Sequence, residues 1–346
     1  MELTWPDVLT PLIARRDLTR EQAAWAMGEI MRGEASPARI AGFLVALRSK
    51  GETVEELTGL ADEMLAHAER FSVPVRSVDI VGTGGDRANT VNISTMAAVV
   101  IAGAGAPVIK HGNRAASSKC GAADLLEGLG VIIALPAEAV ARTVQDVGIG
   151  FCFAPVYHPS YRHAGPTRRE LGIPTVFNYL GPLTNPAQPA AGAIGCGNAA
   201  MAPVMAEVFA ARGADVLVFR GDDGLDEMTT TTTSTVWEVR DGTVRVVTLD
   251  PTTWGLALVE PAALRGGDVE ANVAVARAVF AGERGPVRDA VVLNAAAGLA
   301  THAGLSGDLS ADIAAGVERA GAALDSGAAA DVLDRWVAAG RRLAAD

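Results

Sequence analysis

The chain has 346 residues, of which 49% are hydrophobic and 20% charged. This composition excludes a disordered chain, and the length suggests roughly two domains. The formal net charge of −11 argues against general nucleic-acid binding, because an acidic chain repels a phosphate backbone at long range.

The first 73 residues are predicted to form consecutive helices. Helix starts are indicated by a capping box at Thr19 with Gln22, by Ser36 before Pro37, and by a second box at Thr53 with Glu56. Apolar residues then recur at helical spacing. We therefore predict a small all-helical unit.

From Pro74 onward, short apolar runs alternate with helical patterns. The runs predict strands at Val78–Val81, Val108–Lys110, Val131–Leu135 and Ile149–Phe153. The patterns between them predict helices at Asn92–Ala104, Asp124–Leu129 and Ala137–Val147. Such alternation is typical of an α/β fold whose mostly parallel sheet is flanked by helices on both faces.

The segment from Tyr157 to Pro189 is rich in Pro, Arg and His, with a short helix predicted at Thr167–Leu171. The alternation then resumes at Ile194, followed by a helix at Met201–Ala211, a strand at Val216–Phe219, a hairpin of Val236–Arg240 and Val244–Leu249 around Asp241-Gly242, and Ala-rich helices. We expect the middle segment to return to the helical unit. The predicted domains are residues 1–73, completed by about 165–188, and an α/β domain of 74–164 with 189–346.

Three further features bear on location. The three cysteines fit neither a zinc nor a redox motif, and their sparse spacing suggests reduced thiols in the cytosol. The N-terminus lacks the basic region of a signal peptide. The longest apolar stretch, Met96–Ile109, is shorter than the roughly 20 residues of a membrane span. We expect a cytoplasmic protein without a membrane partner.

A glycine-rich turn, Gly82-Thr83-Gly84-Gly85-Asp86, directly follows the first predicted strand. Glycines allow backbone N–H groups to approach an anion closely, and such turns bind phosphates. Arg87 occupies the third glycine position of the dinucleotide-binding fingerprint, and no Walker A sequence follows. The alternative interpretation is a tight strand-to-helix turn without a ligand.

Asn92-Ile93-Ser94-Thr95 opens the next predicted helix. Unpaired N–H groups at a helix N-terminus, together with amide and hydroxyl side chains, form a second candidate anion site. Plain N-capping by Asn92 or Ser94 is the alternative.

A basic segment, Lys110-His111-Gly112-Asn113-Arg114, follows the next strand, with Ser117-Ser118 shortly after. Ligands of α/β sheets lie beyond the carboxyl ends of the strands, so this segment and the glycine-rich turn are predicted to face one crevice. A solvated basic loop is the alternative.

An adjacent acidic pair, Asp226-Glu227, lies in the loop after the strand Val216–Phe219, together with Asp222 and Asp223. Mg²⁺ commonly takes one or two carboxylates plus substrate phosphate oxygens, so the pair is a candidate magnesium site. The alternative is an acidic surface turn.

The segment after Tyr157 carries the cations His158, Arg162, His163, Arg168 and Arg169. Arg168 could hold a carboxylate, since the planar guanidinium binds that group in a bidentate manner. Salt bridges to the acidic remainder of the chain are the alternative. No order of nucleophile, His and Asp indicates covalent catalysis, and no His cluster indicates a metal site.

The ordered set of motifs resembles the anthranilate phosphoribosyltransferases, within the nucleoside phosphorylase-like phosphoribosyltransferases. The resemblance rests on GTGGD, NIST, KHGNR-x-x-SS, the segment from Tyr157 to Arg168, Gly181-Pro182-Leu183-Thr184-Asn185-Pro186, and Asp226-Glu227. It implies a small helical domain, a large α/β domain, a homodimer formed through the helical domain, and two Mg²⁺ ions per active site. The implied reaction transfers a phosphoribosyl group from phosphoribosyl pyrophosphate to the amine of anthranilate, in tryptophan biosynthesis.

The resemblance also implies roles for individual residues. Those matching phosphoribosyl pyrophosphate positions are Gly82, Gly85, Asp86, Thr90, Asn92, Ile93, Ser94, Thr95, Lys110, His111, Gly112, Asn113, Arg114, Ala115, Ala116, Ser117, Ser118 and Ala122. Those matching anthranilate positions are Gly82, His111, Asn113, His158, Arg168 and Pro182. Ser94, Asp226 and Glu227 match Mg²⁺ ligands, and Lys110, Asn113 and Arg168 are the candidate catalytic residues.

The chain departs from the family pattern at Ala116, where Val is frequent, and at Tyr161, where Met is common. The run Thr229–Thr233 has no explanation at the level of sequence. Two rival functions stay open: a pyrimidine nucleoside phosphorylase of the same fold, and a non-catalytic relative that binds nucleic acid.

Overall fold

The computed structural model describes residues 3–115 and 119–345, and its N-terminal part is a bundle of four helices. These are α1 (Trp5–Ile13), α2 (Arg20–Met31), α3 (Pro37–Lys50) and α4 (Val54–Ala66). The predicted capping boxes are present at Thr19 and Thr53, and Ser36 caps α3. Side-chain oxygens at these positions accept backbone N–H groups that have no partner inside the helix, which is why the sequence locates the helix starts well.

A seven-stranded sheet forms the centre of the larger part. Its strands are β1 (Val78–Gly82), β2 (Val108–Gly112), β3 (Ile149–Phe153), β4 (Ala191–Gly195), β5 (Asp215–Gly221), β6 (Ser234–Arg240) and β7 (Thr243–Leu249). Their order is β3-β2-β1-β4-β5-β6-β7; the first five pair in parallel, whereas β6 and β7 are antiparallel. Asp241 and Gly242 turn the predicted β6–β7 hairpin with positive φ angles of 50° and 71°.

Helices cover both faces of this sheet. The helices outside the bundle are α5 (Ile93–Gly103), α6 (Ala122–Gly128), α7 (Ala137–Val147), α8 (Ala154–Tyr157), α9 (Gly165–Leu171), α10 (Phe177–Leu183), α11 (Met201–Ala211), α12 (Val269–Phe280), α13 (Pro286–Ala303), α14 (Leu309–Asp325) and α15 (Ala328–Leu343), and of these α9 packs on α3 of the bundle. Within the described ranges, no helix is long and apolar enough to span a bilayer. The predicted fold class is confirmed: a small helical unit accompanies an α/β unit with a mostly parallel sheet.

The two faces of the sheet have separate apolar cores. One core joins β1, β2 and β5 to helices such as α5 and α13. The other continues from the sheet through α11 and α10 into the four-helix bundle, where Phe43 and Met27 are fully buried. Helices from the middle of the chain thus share a core with the N-terminal bundle.

The predicted strand at Val131–Leu135 is wrong. The segment is extended, and Val131, Ile133 and Leu135 are buried in alternation, which produces the strand-like pattern. It pairs with no strand: Val131 and Ile133 pack into the core that includes α5, and Leu135 packs into a smaller cluster with Val140 and Cys152, so side-chain packing and not a hydrogen-bonded ladder accounts for the alternation. The phenol of Tyr157 donates to the Leu135 carbonyl instead.

Candidate active site

A cavity of about 400 Å³ opens at the carboxyl ends of β1 and β2, beside the loop after β5. All predicted site residues within the described ranges line it: Gly82, Gly85, Asp86, Thr90, Asn92, Ile93, Ser94, Thr95, Lys110, His111, Gly112, Asn113, Arg114, Ala115, Ala122, His158, Arg168, Pro182, Asp226 and Glu227. Ala116, Ser117 and Ser118 lie outside the described residues. Segments far apart in the chain therefore converge as the strand-end argument predicts.

The glycine-rich turn packs directly against the acidic pair. The Gly84 N–H donates to Oδ2 of Asp226 at 2.6 Å. A Cβ atom added to Gly82 would lie 2.1 Å from the same oxygen, so a side chain there would displace the carboxylate. Gly84 and Gly85 have φ angles of 68° and 84°, which glycine adopts without strain. The turn is thus fitted to the acidic loop as well as exposed to the cavity.

Asp226 and Glu227 are buried, at 9% and 7% exposure, so the surface-turn alternative does not hold. Burial raises the pKa of both carboxyl groups, and the mutual repulsion of nearby carboxylates, including Asp86, raises the pKa values further. The Ser94 N–H, at the start of α5, donates to Oε1 of Glu227 at 3.2 Å. Two desolvated carboxylates held together are chemically suited to a bound cation.

No group of three or more His, Cys, Asp or Glu side chains in the described ranges could hold a metal ion. The acidic pair alone fits Mg²⁺ better than it fits zinc, because Mg²⁺ takes few protein ligands and completes its shell with water and phosphate oxygens. The donor set on this side of the cavity is therefore consistent with a magnesium-bound phosphorylated substrate.

Lys110 is a buried lysine on the cavity wall. Its Nζ donates to the Ile80 carbonyl on the neighbouring strand. Burial lowers the pKa of this ammonium group, while Asp79, Glu227 and Asp226 oppose that effect. The lysine thus brings an amino group to the cavity wall while remaining buried.

Asp79 and Asn185 form a network that the sequence did not indicate. The Asp79 carboxylate accepts from the His111 N–H at 3.1 Å and from the Asn185 amide at 2.9 Å. The same amide reaches the Ile109 carbonyl at 2.8 Å. Burial raises the pKa of Asp79 to about 6, and Lys110 opposes the shift. The network connects β1, β2 and the segment after α10.

His111 and His158 form a buried pair, with ring centroids 5.1 Å apart. Nδ1 of His111 lies 2.9 Å from the Gly181 carbonyl, and Nε2 of His158 lies 2.9 Å from the Thr184 carbonyl. A carbonyl only accepts, so each of these nitrogens carries the proton. Burial lowers the pKa of His111 to about 3 and that of His158 to about 4. Both rings are therefore neutral at physiological pH.

Arg168 also lines the cavity and is stacked on two aromatic rings. Its guanidinium carbon is 5.4 Å from the Tyr161 ring centroid and 5.1 Å from that of Phe177. Nη2 donates to Oδ1 of Asn178 at 3.3 Å. Burial lowers the pKa of Arg168 to about 10, which leaves it cationic. In the described part of the chain it makes no ion pair, so the salt-bridge alternative does not account for it.

Two predicted site residues direct their side chains elsewhere. Arg114 forms ion pairs with Asp124 and Glu127 on α6. Asn92 occupies the N-cap position of α5 but makes no capping bond; its amide donates to the Cys120 carbonyl and its oxygen accepts from Asn272. N-capping by Asn92 is thus wrong, and both residues organise the loops around the cavity.

The threonine run has a structural explanation in the acidic loop. Asp223 accepts from the hydroxyls of Thr229 and Thr231, and Asp222 accepts from those of Thr233 and Thr235. Alternate threonines therefore tie the end of this loop back to its beginning, and Asp226-Glu227 lie between the two tied ends.

Sequence reasoning missed several residues of the cavity. Those that contact predicted site residues or close the wall are Met64, Thr83, Tyr161, Phe177 and Asn178. Met64 comes from α4 and belongs to an ordinary helical pattern, so nothing local marks it. Tyr161 departs from the family pattern, and that departure is the one signal that could have pointed to it.

Two family models together match most of the chain. A glycosyl transferase family helical bundle domain matches residues 6–68, and a glycosyl transferase family a/b domain matches residues 75–330. The fold and its cavity thus define a two-domain glycosyl transferase.

Proteins of similar sequence identify the family within the glycosyl transferases. The chain is 62% identical to an anthranilate phosphoribosyltransferase of Saccharopolyspora erythraea, over 96% of this chain and 95% of that protein. It is 60% identical to that of a Nocardioides species, over 98% of this chain and 99% of that protein. The chain belongs to the anthranilate phosphoribosyltransferase family.

Solved structures of anthranilate phosphoribosyltransferases have the same fold as this chain. The Thermus thermophilus anthranilate phosphoribosyltransferase superposes with a TM-score of 0.90 at 42% identity, covering 97% of this chain and 99% of that chain. The Saccharomyces cerevisiae enzyme in complex with PRPP and Mg superposes with a TM-score of 0.89 at 27% identity, covering 99% of both chains.

Proposed function

We propose that this protein transfers the 5-phosphoribosyl group of phosphoribosyl pyrophosphate to the amine of anthranilate, releasing N-(5-phosphoribosyl)anthranilate and pyrophosphate. The observation that carries the proposal is the convergence of the glycine-rich turn, Lys110, the acidic pair and Arg168 in one cavity. Anion-binding groups and a candidate metal site thus share the cavity with a cation suited to a carboxylate.

The sugar donor is assigned to the strand-end side of the cavity. Backbone N–H groups of the turn at Gly82–Asp86 and of the α5 N-terminus suit phosphate oxygens, because both present unpaired donors. The residues that contact the sugar donor are those that the sequence predicts for phosphoribosyl pyrophosphate. For Ala116, Ser117 and Ser118 this prediction rests on the sequence alone. Arg114 is assigned a supporting role, since its side chain is engaged with α6.

We assign Mg²⁺ to Asp226, Glu227 and Ser94, with two ions per site. When bound, the metal neutralises the acidic pair and the oxygens of the departing pyrophosphate. The yeast relative in complex with PRPP and Mg supports the use of Mg²⁺. The pair is held by the N–H groups of Gly84 and Ser94, which leaves other carboxylate oxygens for coordination.

Anthranilate is assigned to the wall formed by Arg168, Asn113, His111, His158 and Pro182, with Gly82 at its edge. Arg168 is stacked in place and has unpaired guanidinium N–H groups to offer a carboxylate. The neutral histidines add polarity without adding charge beside the amine. The yeast relative described with 4-fluoroanthranilate supports this assignment.

The chemistry follows from where charge develops. Cleavage of the C1–O bond leaves cationic character on the ribose and negative charge on pyrophosphate, which Lys110 and the backbone donors stabilise. An aromatic amine is already neutral near pH 7 and needs no strong base. The remaining task is to hold the amine on the face opposite the leaving group, and Arg168 and Asn113 perform it by fixing the acceptor.

The test is loss of anthranilate fluorescence when phosphoribosyl pyrophosphate is added with and without Mg²⁺. We expect loss only with Mg²⁺, and a variant with Asp226→Asn and Glu227→Gln should need more Mg²⁺ and turn over slowly. Wild-type protein that leaves anthranilate unchanged, but releases uracil or thymine with inorganic phosphate, would overturn the proposal in favour of a nucleoside phosphorylase. A gel shift with single-stranded DNA tests the nucleic-acid alternative.

Three further predictions accompany this function. We propose a homodimer formed through the helical bundle and a cytoplasmic location. We also propose two domains: a helical domain of residues 1–73 and about 165–188, and an α/β domain of residues 74–164 and 189–346. The oligomeric state is measured by size-exclusion chromatography with light scattering, and a monomer at all concentrations would contradict the dimer.

A further inference from the structure

The loop that carries Asp226 and Glu227 is hydrogen-bonded to α13, a helix that contributes no residue to the predicted site. Asn294 lies in the middle of α13 and is fully buried. Its Oδ1 accepts from the Met228 N–H at 3.0 Å, and its Nδ2 donates to the Met228 carbonyl at 2.8 Å. One carboxamide thus pairs with both backbone groups of the residue that follows the acidic pair.

A buried amide in so apolar a helix requires an explanation. The neighbours of Asn294 along α13 are valine, leucine and alanine, and an amide left unpaired there would be strongly unfavourable. Within α13 itself, the Asn294 side chain makes one hydrogen bond, from Nδ2 to the Ala290 carbonyl at 2.9 Å, which leaves its Oδ1 without a donor. The two bonds to Met228 complete the pairing, so the amide is specifically matched to the loop.

The loop needs such support because it has no helix or strand of its own between β5 and β6. It also brings two buried carboxylates together, and their repulsion favours moving them apart. On the N-terminal side of the pair, Oδ1 of Asp223 accepts from the Leu225 N–H at 3.1 Å. On the C-terminal side, the Thr229 N–H donates to the Ser234 hydroxyl at 3.0 Å, and Asn294 holds Met228.

We propose that Asn294 is a positioning residue for magnesium: by pairing with the Met228 backbone it fixes the separation and direction of the Asp226 and Glu227 carboxylates before the ion arrives. The proposal rests on the proposed function, since it deepens the metal assignment. Groups that orient metal ligands without touching the metal typically change metal affinity by about 10- to 100-fold when removed.

The test compares Asn294→Ala with the wild type and with Thr301→Val. Thr301 is also fully buried on α13, but its hydroxyl donates only to the Gly298 carbonyl within the same helix. Thr301→Val therefore controls for loss of a buried hydrogen bond on this helix. Asn294→Asp is a milder change, because its apolar surroundings favour the protonated carboxyl group, which keeps an acceptor for the Met228 N–H and one donor in place of the two that the amide directs to the Met228 and Ala290 carbonyls.

The first readout is binding of Mn²⁺ in the presence of inorganic pyrophosphate, followed by the electron paramagnetic resonance signal of free Mn²⁺. Asn294→Ala should weaken Mn²⁺ binding by about tenfold or more, with Asn294→Asp between it and the wild type. Thr301→Val should bind as the wild type does. The second readout is turnover: the Mg²⁺ midpoint should shift by a similar factor, while the anthranilate KM at saturating Mg²⁺ stays within about twofold.

Unchanged Mn²⁺ affinity in a folded Asn294→Ala or Asn294→Asp protein would overturn the proposal, as would an equal loss in Thr301→Val. If Asn294→Ala fails to fold, Asn294→Asp decides. Wild-type protein that never consumes anthranilate contradicts the proposed function instead, so the two failures are distinguishable.

Discussion

The guanidinium of Arg168 lies against two aromatic faces and bonds to an amide, with no carboxylate beside it in the described structure. A cation placed this way is oriented by its neighbours but keeps most of its donors unused. That is the state expected of a group waiting for a planar anion, because orientation is fixed before binding and less entropy is lost on binding.

Arg168→Ala should raise the anthranilate KM by about 10- to 100-fold, since a hydrogen bond to a charged group contributes about 1.5–3 kcal/mol. The KM for phosphoribosyl pyrophosphate should change much less. Steady-state kinetics with each substrate varied in turn measures both. Arg169→Ala, at an exposed neighbouring position, is the matched control. Equal increases in the two KM values would contradict the carboxylate role.

The acidic pair shows the opposite condition, because Asp226 and Glu227 are two buried carboxyl groups whose negative charges would repel each other. Because burial and repulsion raise the pKa of Glu227 above its ordinary value of 4.5, the folded protein resists ionising it. The unfolded chain ionises it freely above that value. Ionisation therefore destabilises the metal-free fold as pH rises from about 4.5 through neutral.

Glu227→Gln should consequently raise the melting temperature of the metal-free protein by a few degrees at pH 8, and by less at pH 5. Glutamine keeps an oxygen to accept from the Ser94 N–H, so the bond itself is retained. Differential scanning fluorimetry in chelator measures the effect, with Glu283→Gln, at an exposed position, as control. A variant that melts at or below the wild-type temperature at pH 8 would contradict the destabilising effect of the Glu227 charge.

At the scale of elements, Glu56 connects three pieces of the helical bundle. It accepts from Thr53 at the start of α4, from the Leu18 N–H at 2.8 Å, and from Nζ of Lys50 at 2.9 Å. The Glu56 and Lys50 side chains are 0% and 4% exposed. A residue that the sequence marks only as the second member of a capping box thus also holds a buried ion pair.

Glu56→Ala should lower the free energy of unfolding by about 3–5 kcal/mol, because the Leu18 and Thr53 N–H groups lose their acceptor and the Lys50 ammonium group keeps only Asp17 as a carboxylate partner. Glu55→Ala, at an exposed position one residue earlier, should stay within about 0.5 kcal/mol of the wild type. Urea denaturation followed by circular dichroism measures both. Similar losses in the two variants would show that the helical position, and not the buried pair, is responsible.

At the scale of the whole molecule, the bundle and the sheet share one of the two large cores. That core runs from Trp5 and Phe43 through α10 and α11 to Val216 and Val218 on β5. The two family models meet near residue 70, but apolar side chains on both sides of this boundary pack into the same core. The cavity depends on this continuity, because Met64 of α4 and Phe177 of α10 help to close it.

We therefore expect thermal unfolding in one cooperative transition rather than two. Calorimetric and van't Hoff enthalpies should agree, and helical and tryptophan signals should change together. A separate early transition confined to the bundle, seen by calorimetry and by the fluorescence of Trp5 and Trp25, would contradict a shared core.

The sequence by itself determined the local features. Caps at Thr19, Ser36 and Thr53, the hairpin at Asp241-Gly242, and most strands were predictable because these depend on backbone chemistry within a few residues. The convergence of the motifs was also predictable, since parallel strands end at the same edge of a sheet. The order of motifs predicted the family.

Only the tertiary structure decided the rest, because it depends on partners distant in the chain. The Val131–Leu135 segment has the burial pattern of a strand, but its side chains pack into two apolar clusters while its backbone pairs with no strand. Arg114 and Arg168 both stand in basic segments, so the sequence does not distinguish their roles. In the fold, Arg114 forms ion pairs with acidic residues of α6, whereas Arg168 stacks on aromatic rings. Asn294 is one amide in an alanine-rich helix, and only the fold places it against the residue that follows the acidic pair.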